Sequence, residues 1–194
     1  MSEIHPPLPV KLVAGILTPD PALLPGIEEK LTALFGTVDA RSELFPFDWT
    51  DYYREEMGGP LHRGFFGFTE LICPSTIAGI KIKTNALEKI FAGERAGPPR
   101  PVNIDPGYIE QSKLVLASAK NFYHRILIAE GIYAEATLYF SEGQWRAFPW
   151  TFPDYASGRY HSFFISLRSR YREQLSEAGY RIRIPRLPGR RKKE

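Results

Sequence analysis

Residues 100–155 decide the fold of this chain, and their sequence is RPVNIDPGYIEQSKLVLASAKNFYHRILIAEGIYAEATLYFSEGQWRAFPWTFPDY. Apolar runs of strand length alternate in it with ionisable residues, and strands hold side chains more rigidly than loops do. The polar and ionisable residues embedded in this stretch are Asn103, Asp105, Lys113, Lys120, His124, Arg125, Glu135 and Asp154. The stretch therefore predicts a site supported by a sheet, although it contains no standard catalytic motif.

The clearest element in the stretch is a hairpin whose two-residue connection is Glu130-Gly131. Residues 124–129 and 132–140 flank this pair as strands, and glycine supplies the positive φ that such a tight turn needs. This turn predicts the opposite pairs Ile128 and Tyr133, Ile126 and Glu135, and His124 and Thr137. We expect the other face of the hairpin to be the core side, with the side chains Leu127, Ala134, Ala136 and Leu138.

His124 and Glu135 are diagonal neighbours on the mixed face of this hairpin. A carboxylate beside an imidazole can orient it as a general acid or base. The predicted catalytic residues are therefore His124, with Glu135 as its orienting partner, and Asp105 as a metal or hydroxyl ligand. The alternative is a cross-strand polar pair with a structural role alone.

Length and composition indicate one folded domain. The chain has 194 residues, of which 43% are hydrophobic and 13% aromatic, which excludes a disordered chain. We predict a single α+β domain over residues 1–180 and a basic, flexible tail over residues 181–194.

The positive charge of the chain comes from this tail. Its sequence, RIRIPRLPGRRKKE, holds seven of the 25 Lys and Arg residues and one of the 22 Asp and Glu residues, so the rest of the chain is mildly acidic. Such a tail suits RNA or an anionic surface. Short charged termini are also commonly solvated without a partner.

The single cysteine and the first residues indicate a cytosolic protein. Cys73 has no second cysteine with which to form a disulfide, and we interpret it as a buried packing residue. The start, MSEIHPPLPVK, lacks the features of a signal peptide, and the apolar runs are shorter than a membrane span.

Outside the central stretch, apolar patterns predict the order β-α-β-β-α-β, which is the ferredoxin-like arrangement. The strands are predicted over residues 10–17, 38–47, 63–72 and 102–104. The helices start at Asp20-Pro21, ending at Gly36, and at Pro74-Ser75, continuing to Phe91. Residues 48–60 predict a helical turn and loop, and residues 93–101 a connector.

An antiparallel meander and a C-terminal helix extend this core. Asp105-Pro106-Gly107 predicts a turn, with a helix cap at Asp-Pro as the alternative. Residues 114–118, the hairpin and residues 144–148 predict the strands of the meander. The C-terminal helix is predicted over residues 160–178, with Gly179 after it.

Four segments resemble an uncharacterised bacterial family of domains of unknown function. They are FDWTDYYREEMG, VNIDPGYI, SKLVLASAKNFYHRILIAEGIYAEATLYF and PWTFPDY. The resemblance extends from near Lys11 to the C-terminal helix and implies a stand-alone cytosolic protein. Members of the family sometimes carry the label "GTP-binding protein", but the resemblance supplies no reaction and no catalytic residue.

The chain lacks the standard sequence motifs for nucleotides and metals. It has neither a P-loop nor a GxGxxG after a strand, so a bound nucleotide would use a non-standard site. The candidate phosphate contacts are then Lys81, Lys83, Lys113, Lys120 and Arg125. The four histidines are scattered, and a Mg²⁺ site would have to assemble from Asp48, Glu56, Asp105 and Glu135.

Two functions fit these residues. The first is an enzyme or sensor for a small phosphorylated or nucleotide ligand, bound between the loop at residues 48–57 and the sheet at residues 103–137. Its ligand-binding residues are predicted to be Lys113, Lys120, Arg125, Asn103, Asp48, Tyr52, Tyr53, Glu56, Tyr133 and Asp154. The alternative is a non-enzymatic RNA- or ribosome-associated module that uses the tail and exposed aromatics. Against it, residues 102–104 and the third strand lack the RNP-type aromatic pattern, although Phe65, Phe66 and Phe68 cluster in that strand.

Overall fold

A computed structural model describes residues 3–50, 53–94 and 97–180. The described residues form a mixed α+β fold around a nine-stranded antiparallel sheet. The strands are β1 (Val10–Thr18), β2 (Val38–Arg41), β3 (Phe45–Phe47), β4 (Leu61–Ile72), β5 (Asn103–Ile109), β6 (Lys113–Ser118), β7 (Ile126–Ala129), β8 (Ile132–Ser141) and β9 (Gln144–Ala147). The α-helices are α1 (Leu24–Phe35), α2 (Arg54–Met57), α3 (Ile77–Gly93), α4 (Pro153–Ala156) and α5 (His161–Glu177).

The sheet order is β2-β4-β1-β5-β6-β8-β7, with β3 also beside β4 and β9 also beside β8. Strand β1 is buried over its whole length because helices cover both of its faces. Leu12 and Ile16 pack in the core that includes α1 and α3, whereas Val13 packs in the core that includes α5. The two helical layers therefore enclose the sheet at β1.

The predicted order of elements is found along the first half of the chain. The elements β1, α1, β2, β4, α3 and β5 follow one another, with the short strand β3 between β2 and β4. Within the sheet these four strands lie side by side in the order β2-β4-β1-β5. Helices α1 and α3 pack in the same hydrophobic core. The single strand predicted over residues 38–47 is wrong, because residues 42–44 interrupt it and leave two short strands against β4.

The sheet divides between β5 and β6, and we call this division the sheet fork. The two strands pair only where Gly107–Ile109 meets Leu114–Leu116. Beyond the fork, β5 stays with β1 as far as Asn103, and β6 stays with β8 as far as Ser118. A Cβ at residue 107 would lie 2.3 Å from the carbonyl oxygen of Val115, so the apex of the fork requires glycine.

The predicted turn at Asp105-Pro106-Gly107 is therefore wrong. These residues lie inside β5, and the strand continues to Ile109. Proline lacks an N–H and glycine lacks a side chain, which suits both residues to the point where β5 leaves β6. The residues thus have a structural role in a strand that a local pattern assigns to turns.

The hairpin is confirmed, but its register is not. Glu130 and Gly131 have φ values of 48° and 74°, as the two-residue turn requires. An irregularity between Leu127 and Ala129 shifts the pairing by one residue, so that Leu127 lies opposite Tyr133 and Ile126 opposite Ala134. The bulge places one extra residue on β7, and this reverses the predicted faces of its side chains.

The predicted core side of the hairpin is also wrong. Glu135 and Thr137 are buried, whereas Ala134 and Ala136 are only half-buried and Leu127 is exposed. Leu138 is buried as predicted, because a second irregularity in the pairing of β6 with β8 separates it from the alanines. The polar face is the inner one here since it borders a cleft.

Three further predictions have clear outcomes. The C-terminal helix is confirmed as α5. Cys73 is exposed, so its interpretation as a packing residue is wrong; it lies just before Pro74, where β4 has ended. Phe65, Phe66 and Phe68 are buried and offer no stacking surface for RNA.

The predicted tail lies outside the described residues, and the cytosolic location stays a prediction. Among the described residues, no helix combines the length and apolar character that a membrane crossing requires.

Candidate functional site

A cleft of about 1220 Å³ opens in the sheet fork. Because β5 and β6 separate there, side chains from α3 on one side of the sheet and from residues 150–155 on the other line the same space. Residues of the segments 47–50, 53–56 and 116–125 complete the walls. The volume exceeds the range of typical small-molecule sites, about 300–1,000 Å³, so a ligand of nucleotide size fits.

The structure brings nine of the thirteen predicted site residues to this cleft. They are Asn103, Asp105, Lys120, His124, Arg125, Glu135, Tyr53, Glu56 and Asp154. Lys113 instead pairs with Glu110 at 2.5 Å, and Asp48 lies 3.6 Å from Arg159. Tyr133 is half-buried on β8 opposite Ser118, and Tyr52 lies outside the described residues.

Arg63, on β4, forms the floor of the cleft with two carboxylates. Its side chain is buried, and Nη1 donates to Asp105 Oδ2 at 3.1 Å. Its Nε lies 3.8 Å from Asp154 Oδ2, which is too long for a hydrogen bond. Lys81 of α3 approaches the other oxygen of Asp105 to 3.6 Å. Two cations from different elements therefore hold one carboxylate at the base of the fork.

Side chains of α3 replace the missing strand neighbour of β5. The backbone N–H of Ile104 donates to Glu88 Oε1 at 2.8 Å, and Lys81 Nζ donates to the carbonyl oxygen of Ile104, also at 2.8 Å. Arg100 bonds to Glu88 Oε2 at 3.1 Å and to the side-chain oxygen of Asn103. The fork stays open because these side chains satisfy backbone groups that β6 would otherwise take.

The carboxyl groups of the floor have displaced pKa values. Burial alone would raise the pKa of Asp105, but the charges of Lys81 and Arg63 outweigh it and bring that pKa below its ordinary value. Burial raises the pKa of Asp154, and the charge of Arg63 only partly offsets it. Burial likewise raises the pKa of Glu88 against the charge of Lys81. Asp105 is thus the fixed anion of the floor, and Asp154 is more easily protonated than an exposed aspartate.

Two buried donors of the floor have no acceptor in the part of the chain that the structure describes. They are Arg63 Nε and the hydroxyl of Tyr155, a residue of α4 that also lines the cleft. Both side chains reach Gly15, where an added Cβ would lie 3.3 Å from the Tyr155 hydroxyl and 3.4 Å from Arg63 Nη1. Burial raises the pKa of Tyr155 well above its ordinary value, so the hydroxyl keeps its proton and stays a donor. Unsatisfied buried donors are uncommon in folded proteins, so these two groups are candidate contacts for a ligand.

A second polar cluster surrounds Glu135 on β8. Its Oε2 accepts from Arg125 Nε at 2.6 Å and lies 3.0 Å from His124 Nε2, and its Oε1 accepts from Thr137 at 3.2 Å. Since the carboxylate can only accept, we assign the Nε2 proton to His124. Nδ1 of His124 is buried and has no partner among the described residues, so neither ring nitrogen faces open space.

Aromatic side chains form the wall and the mouth of the cleft. Trp150 lies between His124 and Phe148 with nearly parallel rings, at centroid distances of 5.7 and 4.9 Å. Its Nε1 donates to the carbonyl oxygen of Ala136 at 3.0 Å, which fixes the ring. Phe122 and Phe152 line the cleft with half of their surface exposed, 57% and 46% respectively. The mouth therefore offers flat apolar surfaces to a ligand.

The sequence analysis missed several residues of the site, and three of them bear polar or charged groups near the floor. They are Arg63, Glu88 and Arg100. Arg63 begins the apolar run RGFFGF, and a charge at the start of a buried strand is a signal that could have found it. Glu88 and Arg100 belong to the site because they bond to each other and to β5 at the sheet fork, and no local sequence pattern reveals the fork.

The predicted Mg²⁺ site stays a prediction, with Glu56, Asp105 and Glu135 in the lining of the cleft and Asp48 outside it. Across residues 3–50, 53–94 and 97–180, no group of three or more His, Cys, Asp and Glu side chains is arranged to hold a metal ion. Glu135 is held by His124 and Arg125, and Asp48 lies beside Arg159.

Comparison with known proteins identifies a family and no individual relative. A family model described as a domain of unknown function (DUF4416) matches residues 8–171. No curated protein and no solved structure matches the chain. The resemblance to an uncharacterised family is thereby confirmed, while a bacterial origin and the GTP-binding label stay predictions.

Proposed function

The chain belongs to the DUF4416 family, whose description names no activity, and we propose from its own cleft that it binds a small phosphorylated ligand of nucleotide type. The observation that carries the proposal is a pair of buried donors on the floor of a cleft of about 1220 Å³, Arg63 Nε and the Tyr155 hydroxyl, for which the described residues supply no acceptor. A phosphate oxygen is a strong acceptor for such donors.

The charge of the cleft supports an anionic ligand. Among the described residues, the cationic side chains of the lining outnumber the acidic ones by six to five; they are Arg63, Lys81, Lys89, Arg100, Lys120 and Arg125 against Glu56, Glu88, Asp105, Glu135 and Asp154. Because burial raises the pKa of both Asp154 and Glu88, an incoming anion favours their neutral forms and makes the lining more positive.

The aromatic mouth supports a ligand with a ring. A phosphate on the floor places the rest of the ligand toward Phe122 and Phe152, whose exposed faces suit stacking on a base. The ligand then spans the cleft from a polar floor to an apolar mouth.

Binding is favoured over catalysis by the geometry around His124. A general base must present a free ring nitrogen to the ligand, whereas Nε2 here faces Glu135 and Nδ1 is buried. We therefore propose a sensor or binding protein, with His124 and Glu135 holding the wall around Trp150. The catalytic roles of His124, Glu135 and Asp105 stay predictions.

We also propose that β1, α1, β2, β4, α3 and β5 constitute a ferredoxin-like core. The neighbour order β2-β4-β1-β5 and the packing of α1 and α3 in one core support it. The ligand would then bind where the added meander separates from this core.

The proposal is tested by a thermal-shift screen with nucleotides, sugar phosphates and inorganic phosphate, followed by calorimetric titration. A ligand at a hundred times its Kd raises the free energy of unfolding by about 2.7 kcal/mol. Ala119→Trp places a bulky ring in the cleft at an exposed residue, and we expect it to abolish binding. The matched control, Ala86→Trp, changes an exposed alanine of α3 that is not part of the lining and should bind normally. No binding by the wild type, or equal binding by both variants, contradicts the proposal.

A further inference from the structure

Asp154 is a buried carboxylate beside the donors that the proposed ligand would use. Its Oδ2 lies 3.8 Å from Arg63 Nε and accepts a hydrogen bond from the Tyr160 hydroxyl at 3.3 Å. Only 3% of the residue is exposed. A ligand oxygen that accepts from Arg63 Nε would lie no more than about 7 Å from Asp154 Oδ2, given the usual length of such a bond. The carboxylate is therefore a close neighbour of any anion held on the floor.

The charges on the floor balance before a ligand arrives. Its cations are Arg63 and Lys81, and the carboxylates nearest to them are Asp105 and Asp154. Glu88, 4.0 Å from Lys81, is paired with Arg100 at 3.1 Å. A phosphate dianion would add two negative charges to a buried group whose own charges cancel, and uncompensated buried charge is strongly unfavourable. A proton that enters with the phosphate would halve the added charge.

The surroundings of Asp154 make it the place for that proton. Among the described residues, the ionisable side chains that act on it are Arg63 of β4, Asp105 of β5, Tyr53 beside α2, Tyr155 of α4 and Tyr160 before α5. Burial raises the pKa of all three tyrosines, so they stay neutral. Arg63 donates to Asp105 at 3.1 Å and so divides its charge between two carboxylates. The pKa of Asp105 is lowered and that of Asp154 is raised, so Asp154 takes the proton more readily.

We propose that the floor binds a terminal phosphate group with one proton shared between a phosphate oxygen and Asp154, and that Asp154 thereby selects a phosphate monoester over a sulfate or a phosphate diester. This inference rests on the proposed function and adds the kind of phosphate that the site accepts. Arg63 Nε and the Tyr155 hydroxyl donate to two phosphate oxygens. The Asp154 carboxylate accepts from the P–O–H group, so the proton arrives with the ligand.

The selection follows from the acid chemistry of the three ligand types. A phosphate monoester has a second pKa of about 6, so it keeps a proton on one oxygen readily near neutral pH. A sulfate and a phosphate diester are fully ionised there. Each would turn an oxygen without a hydrogen toward the Asp154 carboxylate, and two acceptors that face each other without a hydrogen repel. A site that bonds to a ligand hydroxyl discriminates strongly against an analogue that lacks it.

Calorimetric titration of the full chain with inorganic phosphate and inorganic sulfate tests the proposal, at pH 6 and equal ionic strength. We expect the wild type to bind phosphate about 10- to 100-fold more tightly than sulfate, which corresponds to one hydrogen bond to a charged group. Asp154→Asn replaces the carboxylate with an amide that also donates, so its sulfate affinity should rise until the preference for phosphate disappears.

Asp20→Asn is the matched control, because it makes the same change at an aspartate that caps the segment before α1 and does not line the cleft. Asparagine caps as well as aspartate does, so this variant should fold normally and keep the wild-type preference for phosphate.

The pH dependence of phosphate binding is a second measurement, and it needs no variant. Wild-type affinity should fall by up to about tenfold per pH unit above the second pKa of phosphate, because one proton is bound with the ligand. A wild type that binds phosphate and sulfate equally, or binds neither, overturns the inference. An affinity independent of pH, or a preference that persists in Asp154→Asn, overturns it as well. The proposed function fails separately, when the screen of nucleotides and sugar phosphates finds no ligand.

Discussion

Single substitutions on the floor of the cleft can distinguish residues that stabilise the fold from residues that bind the ligand. The hydroxyl of Tyr155 is buried and finds no acceptor among the described residues, so it adds no hydrogen bond there to the stability of the free protein. We predict that Tyr155→Phe leaves the free energy of unfolding unchanged or raises it by up to about 1 kcal/mol, since an unsatisfied donor is removed. Ligand affinity should fall about 3- to 10-fold through the loss of one hydrogen bond, as calorimetry would measure.

Tyr171→Phe is the control for that prediction. The hydroxyl of Tyr171 donates to the carbonyl oxygen of Pro9 at 2.9 Å, away from the cleft. Its loss should lower the free energy of unfolding by about 1 kcal/mol and leave ligand affinity unchanged. If Tyr155→Phe instead destabilises the fold and binds normally, the hydroxyl is structural and the floor is not the ligand site.

The lowered pKa of Asp105 predicts how the free energy of unfolding changes at acid pH. Its folded pKa is below the ordinary value, so its contribution is present above about pH 3.9 and is lost as the pH falls through the lower folded pKa. Asp105→Asn should therefore be less stable than the wild type at neutral pH by about 1.5–3 kcal/mol. The deficit should shrink in urea unfolding experiments carried out progressively below about pH 4.

Asp154→Asn should show the opposite slope, because burial raises the pKa of Asp154. A carboxyl with a raised pKa stabilises the folded state below its unfolded pKa, and this contribution is lost as the pH rises through the folded pKa. The stability of the variant relative to the wild type should thus increase with pH above about pH 4. Equal slopes for the two variants would refute the assigned charges.

At the scale of elements, the sheet fork depends on Gly107. A Cβ at this residue would lie 2.3 Å from the carbonyl oxygen of Val115 and 2.7 Å from Leu116 Cδ2. We predict that Gly107→Ala destabilises the protein by about 1–3 kcal/mol, as overpacking does, and alters ligand affinity by moving β5 against β6. Chemical denaturation and titration measure the two effects.

Gly79→Ala gives the matched control for the fork. Gly79 lies in α3 with nothing within 4 Å of an added Cβ, so the change should stabilise the helix by about 0.5–1 kcal/mol. A Gly107→Ala variant as stable as the wild type would contradict this. It would show that the apex tolerates a side chain and that the close approach of β5 to β6 does not require glycine.

Local patterns predicted the elements better than their pairing. The tight turn at Glu130-Gly131 follows from chemistry within two residues, and it is found. The bulge beside Leu127 and the strand role of Asp105-Pro106-Gly107 depend on how β7 pairs with β8 and β5 with β6, and the residue types within each segment do not determine that pairing. The same limit explains the site: His124 and Glu135 belong to one hairpin and were paired from the sequence, whereas Arg63 meets Asp105 across 42 residues.

At the scale of the whole molecule, the site exists because two parts of one sheet separate. The unit of β1, α1, β2, β4, α3 and β5 supplies Arg63, Lys81 and Asp105, and the meander supplies Glu135 and the aromatic wall. A ligand bound between them contacts both parts and restrains the fork. The free protein should therefore be looser at the fork than the bound protein.

Hydrogen–deuterium exchange of the full chain, with and without a saturating phosphorylated ligand from the screen, tests this claim most directly. We predict slower exchange in residues 103–106 and 117–121 on ligand addition, with no change in the distant strand β2. Protection that falls at β2 or elsewhere outside the fork, with residues 103–106 and 117–121 unchanged, would contradict the account.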